Sequence, residues 1–130
     1  REEASADALA FGRVVEVVDA DPAVRTAGRA RFRFYRERGA SLVVVKLGPE
    51  GAHYDGIAGR GRVAGFPVAQ VVDTVGAGDG FAVGVISALL AGRTPEQAVR
   101  RGAWIGARAV QVLGDTEGLP TRQQLEESGL

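Results

Sequence analysis

Two aspartates, Asp73 and Asp79, flank the run Thr74-Val75-Gly76-Ala77-Gly78, and an apolar, small-residue segment starts at Phe81. A carboxylate in the first turn of a helix is placed to take a proton from an attacking hydroxyl. Glycines ahead of it leave backbone N–H groups open where the helix dipole is positive, which favours anions. Gly76 and Gly78 also lack the Cβ atoms that would hold a phosphate away from the backbone, and they tolerate torsions other residues resist. Asp79 is therefore a candidate base, and the backbone of Gly76, Ala77 and Gly78 a candidate anion hole, in a segment expected between a strand end and a helix start. Two better-known glycine motifs do not fit. Walker A needs lysine and then serine or threonine after its last glycine, but Phe81 follows Gly80, and the dinucleotide fingerprint needs a glycine where Phe81 stands. A packing alternative stays open: Gly76, Gly80 and Gly84 as a small-residue stripe that lets the helix lie close to the sheet.

The elements that must position this run alternate between helix and strand. Acids, then alanine and leucine at helical spacing, predict a helix over Glu2–Ala10. The segment "RVVEVV" is ambiguous between a strand and the end of a helical region. Asp21 as a cap, Pro22 in the first turn and Gly39 as a stop delimit a second helix. The unbroken β-branched run Leu42–Lys46 reads as a strand buried on both faces of a parallel sheet. Short β-like pieces at Ala52–Tyr54 and Gly61–Val63 suggest a hairpin or meander. A helix is expected over Gly78–Leu90, ended by Gly92; Thr94 and Pro95 open the next, which runs to about Gly114, and Thr121 caps a short last one. This is an α/β pattern.

Composition narrows the function classes. With 130 residues, 45% of them apolar, the chain can bury a real core. Sixteen basic residues balance sixteen acidic ones, so no net field recruits nucleic acid or an anionic membrane, and the arginines between Arg25 and Arg38 read as a solvated helix face. The absence of cysteine excludes disulfides and thiolate metal sites, and a single histidine excludes an all-histidine one. No run is long enough to span a bilayer and no targeting peptide is evident, which sets a cytoplasmic expectation.

"DTVGAGD" with its following aromatic and small-residue helix resembles the C-terminal motif of the ribokinase-like, or PfkB, carbohydrate kinases. "VVVKLGPEG" is similar to that family's strand running into a G-x-x-G turn, and "GARAVQVLGDTEGLPT" to its nucleotide-side helix and loop. The resemblance implies a three-layer α/β/α sandwich. It also implies ATP and Mg2+ as cofactors, K+ as a structural ion, and a sugar as substrate. By position it assigns Asp79 as the base and the amides of Gly76, Ala77 and Gly78 as the hole for charge on the transferred phosphoryl. Lys46, Gly48 and Gly51, with Gly78, fall on the ATP site. Asp73 and the carbonyls of Val75, Ala109, Val112 and Gly114 fall on the monovalent-cation site, although Asp73 also suits a simple loop cap. "REEA" resembles the end of an N-x-x-E motif, with Glu3 as the acid near magnesium. Some relatives carry an asparagine near Ala103, and none is present here. His53 and Tyr54 read as packing or surface residues, and Trp104 as a core anchor.

Complete kinases of this family run to about three hundred residues, as suits a large α/β domain. Residues 1–130 are accordingly expected to be the C-terminal portion, without the sugar-binding half or the lid through which such kinases could form homo-oligomers. "KLGPEG" with "VQVLGDTEGLPT" looks most like 2-keto-3-deoxygluconate kinases. Fructokinase, ribokinase and a non-catalytic nucleotide-binding fragment remain as alternatives.

Overall fold

The computed structural model describes residues 13–17, 22–39 and 41–130, with side chains described from Thr26 onward. The helix expected over Glu2–Ala10, the cap at Asp21 and the acid Glu3 lie outside the described residues. The ambiguous "RVVEVV" segment is a strand, β1 (Arg13–Val17), followed by helix α1 (Pro22–Glu37) and strand β2 (Leu42–Lys46). A single 3-10 turn, Gly48–Glu50, leads to the hairpin of β3 (Ala52–Gly56) and β4 (Gly59–Val63), and then come α2 (Ala77–Leu90), α3 (Pro95–Ala109) and α4 (Arg122–Ser128).

The sheet has the order β1-β2-β3-β4. Only its first pairing is parallel: β2 runs parallel to β1 in the register Val14↔Val43 and antiparallel to β3 in the register Val44↔Tyr54. The expectation of a parallel environment for β2 is thus corrected to a mixed one, because the tight turn after Gly48 sends the chain straight back along β2. Burial on both faces holds. Alternation of side chains along a strand sends Val43 to one face, where it packs with Tyr35, Phe32 and Phe34 of α1. Leu42 and Val44 go to the other, where Phe81, Val85 and Ala88 of α2 meet Ala98, Val99 and Ala103 of α3. The result is three layers, α1, sheet, and the α2/α3 pair.

The small-residue stripe exists, but it serves α3 and not the sheet. A Cβ on Gly84 would stand 2.8 Å from the Gly102 Cα, and one on Gly80 would stand 3.0 Å from Leu119 and 3.1 Å from Ile105. The two helices therefore cross at backbone contact. Both C-terminal helices begin at capping boxes: the Thr94 hydroxyl accepts from Gln97 N–H while the Gln97 side chain accepts from Thr94 N–H, and Thr121 and Gln124 repeat the arrangement. Arg101 of α3, which is buried, donates to Ser87 Oγ of α2 at 3.4 Å and to the Leu130 carbonyl at 2.8 Å.

Two boundaries differ from expectation. Residues 64–76 form no strand, so the glycine run is entered from an irregular connection. Helix α3 stops at Ala109 and not near Gly114. The cause lies in a segment distant in sequence: the carbonyl of Val110 accepts from the N–H groups of Val72 and Asp73, at 2.8 and 3.2 Å, which pins the incoming loop to the end of the helix.

Candidate functional site

The run from Asp73 to Asp79 folds into a turn and the start of α2. Gly76 is the N-cap, at a left-handed φ of 76°, and no side chain caps the helix. Its missing Cβ faces the backbone of Asp115, whose carbonyl occupies that space. Glycine at 76 is thus required by torsion and by the 110–118 loop lying on it, and its lack of a side chain opens no path to a ligand. Gly78 differs. It lies inside α2 and its φ is not positive, so the expected torsional reason for glycine is absent there.

Of the three expected donors, Ala77 N–H reaches the Thr74 carbonyl at 3.4 Å, and Gly80 N–H bonds the Gly76 carbonyl at 2.8 Å; among the described residues no hydrogen bond is made by the N–H of Gly76 at the cap, nor by those of Gly78 and Asp79 in the first turn. The two amides of the first turn, with the exposed Asp79 carboxylate beside them, form the open end of α2. Into the same space comes Lys46 from the end of β2. Its Nζ lies 3.1 Å from where a Gly78 Cβ would be and 5.1 Å from the centre of the Phe81 ring. Burial lowers the Lys46 pKa, and the nearby Asp79 carboxylate opposes that shift. Lys46 does not extend away into solvent; it turns over the helix end.

The G-x-x-G turn splits in role. Gly48 is exposed, at φ 57°, and a Cβ there would meet no atom within 4 Å. Gly51 is buried at φ 96°, and the Val63 carbonyl fills the place of its Cβ. It holds the turn against the end of β4.

Asp73 is a bracket between two loops. Its Oδ1 accepts from Val75 N–H at 3.0 Å and its Oδ2 from Gly114 N–H at 3.2 Å. These backbone hydrogen bonds, Val75 first and Gly114 second, hold its pKa below the usual carboxylate range. The loop-cap reading of Asp73 therefore has direct geometric support, with both oxygens engaged. Of the carbonyls expected around a cation, that of Ala109 accepts from Val112 N–H at 3.4 Å. Among the described residues no group of three or more histidine, cysteine or carboxylate side chains could hold a metal ion. Two concavities of about 540 Å³, one between α1 and the hairpin and one between α3 and α4, do not include Asp79 or its turn. His53 is exposed, Tyr54 packs against the core, and Trp104 is half-buried under the Arg108 guanidinium.

The family model for pfkB family carbohydrate kinases matches residues 26–122, a span that includes Lys46, the G-x-x-G turn and the whole Asp73–Asp79 run. The chain belongs to the pfkB family of carbohydrate kinases. A second model, that of the DNA polymerase III chi subunit HolC, matches residues 1–43, less than half of the chain. The 2-dehydro-3-deoxygluconokinase of Bacillus subtilis is 54% identical over 92 residues, covering 71% of this chain and 28% of that protein. The crystal structure of a PfkB protein from Polaromonas sp. JS666 is 67% identical and superposes with a TM-score of 0.59, covering 72% of this chain and 28% of that one. The structure of Arabidopsis thaliana ribokinase complexed with ribose and ATP is 29% identical at a TM-score of 0.68, covering 78% and 33%. This pfkB family chain thus spans about a third or less of the length of these relatives, and its layers are those of a ribokinase-like α/β/α fold.

Asp115, which covers Gly76, and Phe81, which lies under Lys46, are the contributors that sequence reasoning did not assign. An aromatic directly after the glycine run was the available signal for the second.

Proposed function

We propose that this chain is the nucleotide-side, catalytic portion of an ATP-dependent sugar kinase whose substrate is 2-keto-3-deoxygluconate. The observation that carries the reading is the coincidence, in one helical turn, of an exposed carboxylate at Asp79 with unpaired amides at Gly78 and Asp79. Phosphoryl transfer asks little of a protein beyond placing the nucleophile and stabilising charge. Asp79 accepts the proton of the attacking sugar hydroxyl, and the amides at the start of α2 hold charge that develops on the transferred group.

The open helix end fits a phosphate, because nothing among the described residues satisfies its donors. Magnesium bound with the nucleotide would supply charge neutralisation on the phosphates; such an ion needs one or two carboxylates at most, for which Glu3 is the candidate. A potassium ion would be held by Asp73 and the carbonyls of Val75, Ala109, Val112 and Gly114, as support for the loop. Gly48, exposed at its turn, is assigned to the nucleotide. The 54% identity to 2-dehydro-3-deoxygluconokinase supports the sugar assignment, and the 28% share of that enzyme's length supports placing the sugar-binding half and lid in further chain.

The test uses the protein that carries this chain. Asp79→Asn should reduce kcat by about a hundredfold or more, as general-base losses do, with the KM for ATP little changed. Turnover close to wild type would remove Asp79 from the mechanism. Rates with 2-keto-3-deoxygluconate, fructose and ribose compared side by side decide the sugar.

A further inference from the structure

From Gly59 to Arg62, β4 alternates glycine and arginine, and its register decides which face each takes. Gly61 pairs with Tyr54, which packs on the α2/α3 side, and a Cβ on Gly61 would stand 2.7 Å from the Tyr54 hydroxyl. Glycine is therefore needed on that side, and the arginines go to the other. Arg60 falls in the cross-strand row Val43–Asp55–Arg60 and Arg62 in the row Val45–His53–Arg62, on the side where Val43 meets Tyr35 of α1. Helix α1 packs over β1 and β2. Between α1 and the hairpin lies one of the two concavities of about 540 Å³, a volume within the range of small-molecule sites.

The floor of this cleft is apolar, made by the partly buried Phe32 of α1, Val45 of β2 and Leu47 just after it. Its rim is cationic from two separate elements, with Arg29 on α1 facing Arg60 and Arg62 on β4. The carboxylates at the rim are already answered: Asp55 pairs with Arg36 at 3.1 Å, and Glu50 with Arg62 at 3.7 Å. Arg29 and Arg60 are left over. Among the described residues neither has an ion-pair or hydrogen-bond partner. Guanidinium forks suit the oxygens of a phosphate or carboxylate, and the floor suits carbon. A bare inorganic anion would use only the rim, and a neutral apolar molecule only the floor.

We propose that the cleft between α1 and the β3–β4 hairpin binds a small organic anion, a phosphate or carboxylate carried on an apolar body. The site is separate from that of Asp79. Val45 and Leu47 line the cleft while Lys46, between them, turns over the start of α2, so β2 stands between the two. The inference holds whether or not the kinase reading does.

His53, the single histidine of these 130 residues, lines the cleft and serves as the reporter. In the protein that carries this chain, prepared with isotopically labelled histidine, its imidazole NMR signal is assigned by its loss in His53→Gln. Phenyl phosphate, benzoate, inorganic phosphate and benzyl alcohol are then titrated in turn at fixed pH. Phenyl phosphate or benzoate should shift the signal saturably, and the tighter of the two names the head group. Inorganic phosphate and benzyl alcohol should each bind about tenfold more weakly or worse, since each lacks one half of the match. Arg29→Gln and Arg60→Gln should each weaken the tighter ligand about fivefold or more, as loss of a charge-assisted contact does. Arg33→Gln, exposed on α1 and outside the cleft, should change binding by less than about twofold, because a distant surface charge is screened. The proposal is overturned if neither organic anion gives a saturable shift, or if either half binds as tightly as the whole. It is equally overturned if Arg29→Gln and Arg60→Gln bind no differently from Arg33→Gln, since the attraction would then be one of net charge alone.

Discussion

The backbone crossing of α2 and α3 gives a stability prediction whose size follows from distances. A Cβ added at Gly84 would stand 2.8 Å from the Gly102 Cα, 3.0 Å from the Gly102 nitrogen and 3.0 Å from the Ile105 Cδ1. Carbon atoms pack at about 3.5–4.0 Å, so Gly84→Ala asks two helix backbones to separate by close to an ångström, and backbone cannot rotate away as a side chain can. Overpacking of this kind costs about 1–3 kcal/mol. Replacing glycine by alanine inside a helix also returns about 1 kcal/mol of propensity, which would blur the result if the variant were measured alone. Gly106→Ala removes that ambiguity. It sits inside α3, and its added Cβ would meet the Ala77 carbonyl at 3.3 Å and the Phe81 Cβ at 3.7 Å, contacts that yield with a shift of a few tenths. The propensity gain is common to both variants and cancels in their difference. Gly84→Ala should therefore be less stable than Gly106→Ala by about 1–3 kcal/mol, read from urea unfolding midpoints at equal m-values. Equal midpoints would refute the claim that the glycines set the helix spacing.

Asp73 should contribute to acid sensitivity. Its folded pKa is held down by hydrogen bonds from Val75 and Gly114, so the stability it adds is fully present above the usual carboxylate range and is lost as pH falls through its lowered folded value. Asp73→Ala should flatten that acid limb in a pH series of unfolding curves, and an unchanged limb would contradict the bracket. Thr94→Ala removes the hydroxyl that accepts from Gln97 N–H at 3.3 Å, and should cost about 1 kcal/mol by thermal or urea unfolding. No loss would mean that Pro95 alone starts α3.

What the sequence made legible were the features that local chemistry dictates. Thr94, Thr121 and Gly92 mark real helix ends, because capping is decided within one turn. The hairpin pieces at Ala52–Tyr54 and Gly61–Val63 fall within β3 and β4, since glycine and alternation signal them directly. The glycine stripe was visible, but its partner was not, because Gly84 shows that something approaches closely without showing whether that is sheet or helix. The end of α3 was missed for a related reason: the groups that stop it, the amides of Val72 and Asp73, belong to a distant segment. Asp73 was readable as either loop cap or cation ligand, and only the geometry shows both of its oxygens on amides. Lys46 was placed near phosphates by its neighbouring G-x-x-G turn, but its relation to Gly78 depends on how β2 and α2 pack across the core.

The hydrogen bonds from Val72 and Asp73 to the Val110 carbonyl turn α3 into a ruler. Each residue of an α-helix advances the chain by about 1.5 Å and rotates it by about 100°. Inserting or deleting one residue between Thr94 and Val110 would therefore swing that carbonyl away from the loop before α2, and the Asp73–Gly114 bracket and the cover over Gly76 would lose their alignment with it. Asp79 would be displaced by a change made on a different helix. The exposed stretch around Ala69 and Gln70 makes no backbone hydrogen bond to the described residues and can absorb an extra residue without passing the strain along. Length should thus be far less negotiable in α3 than in the loop that precedes the glycine run, even though α3 contributes no atom to the chemistry proposed for Asp79.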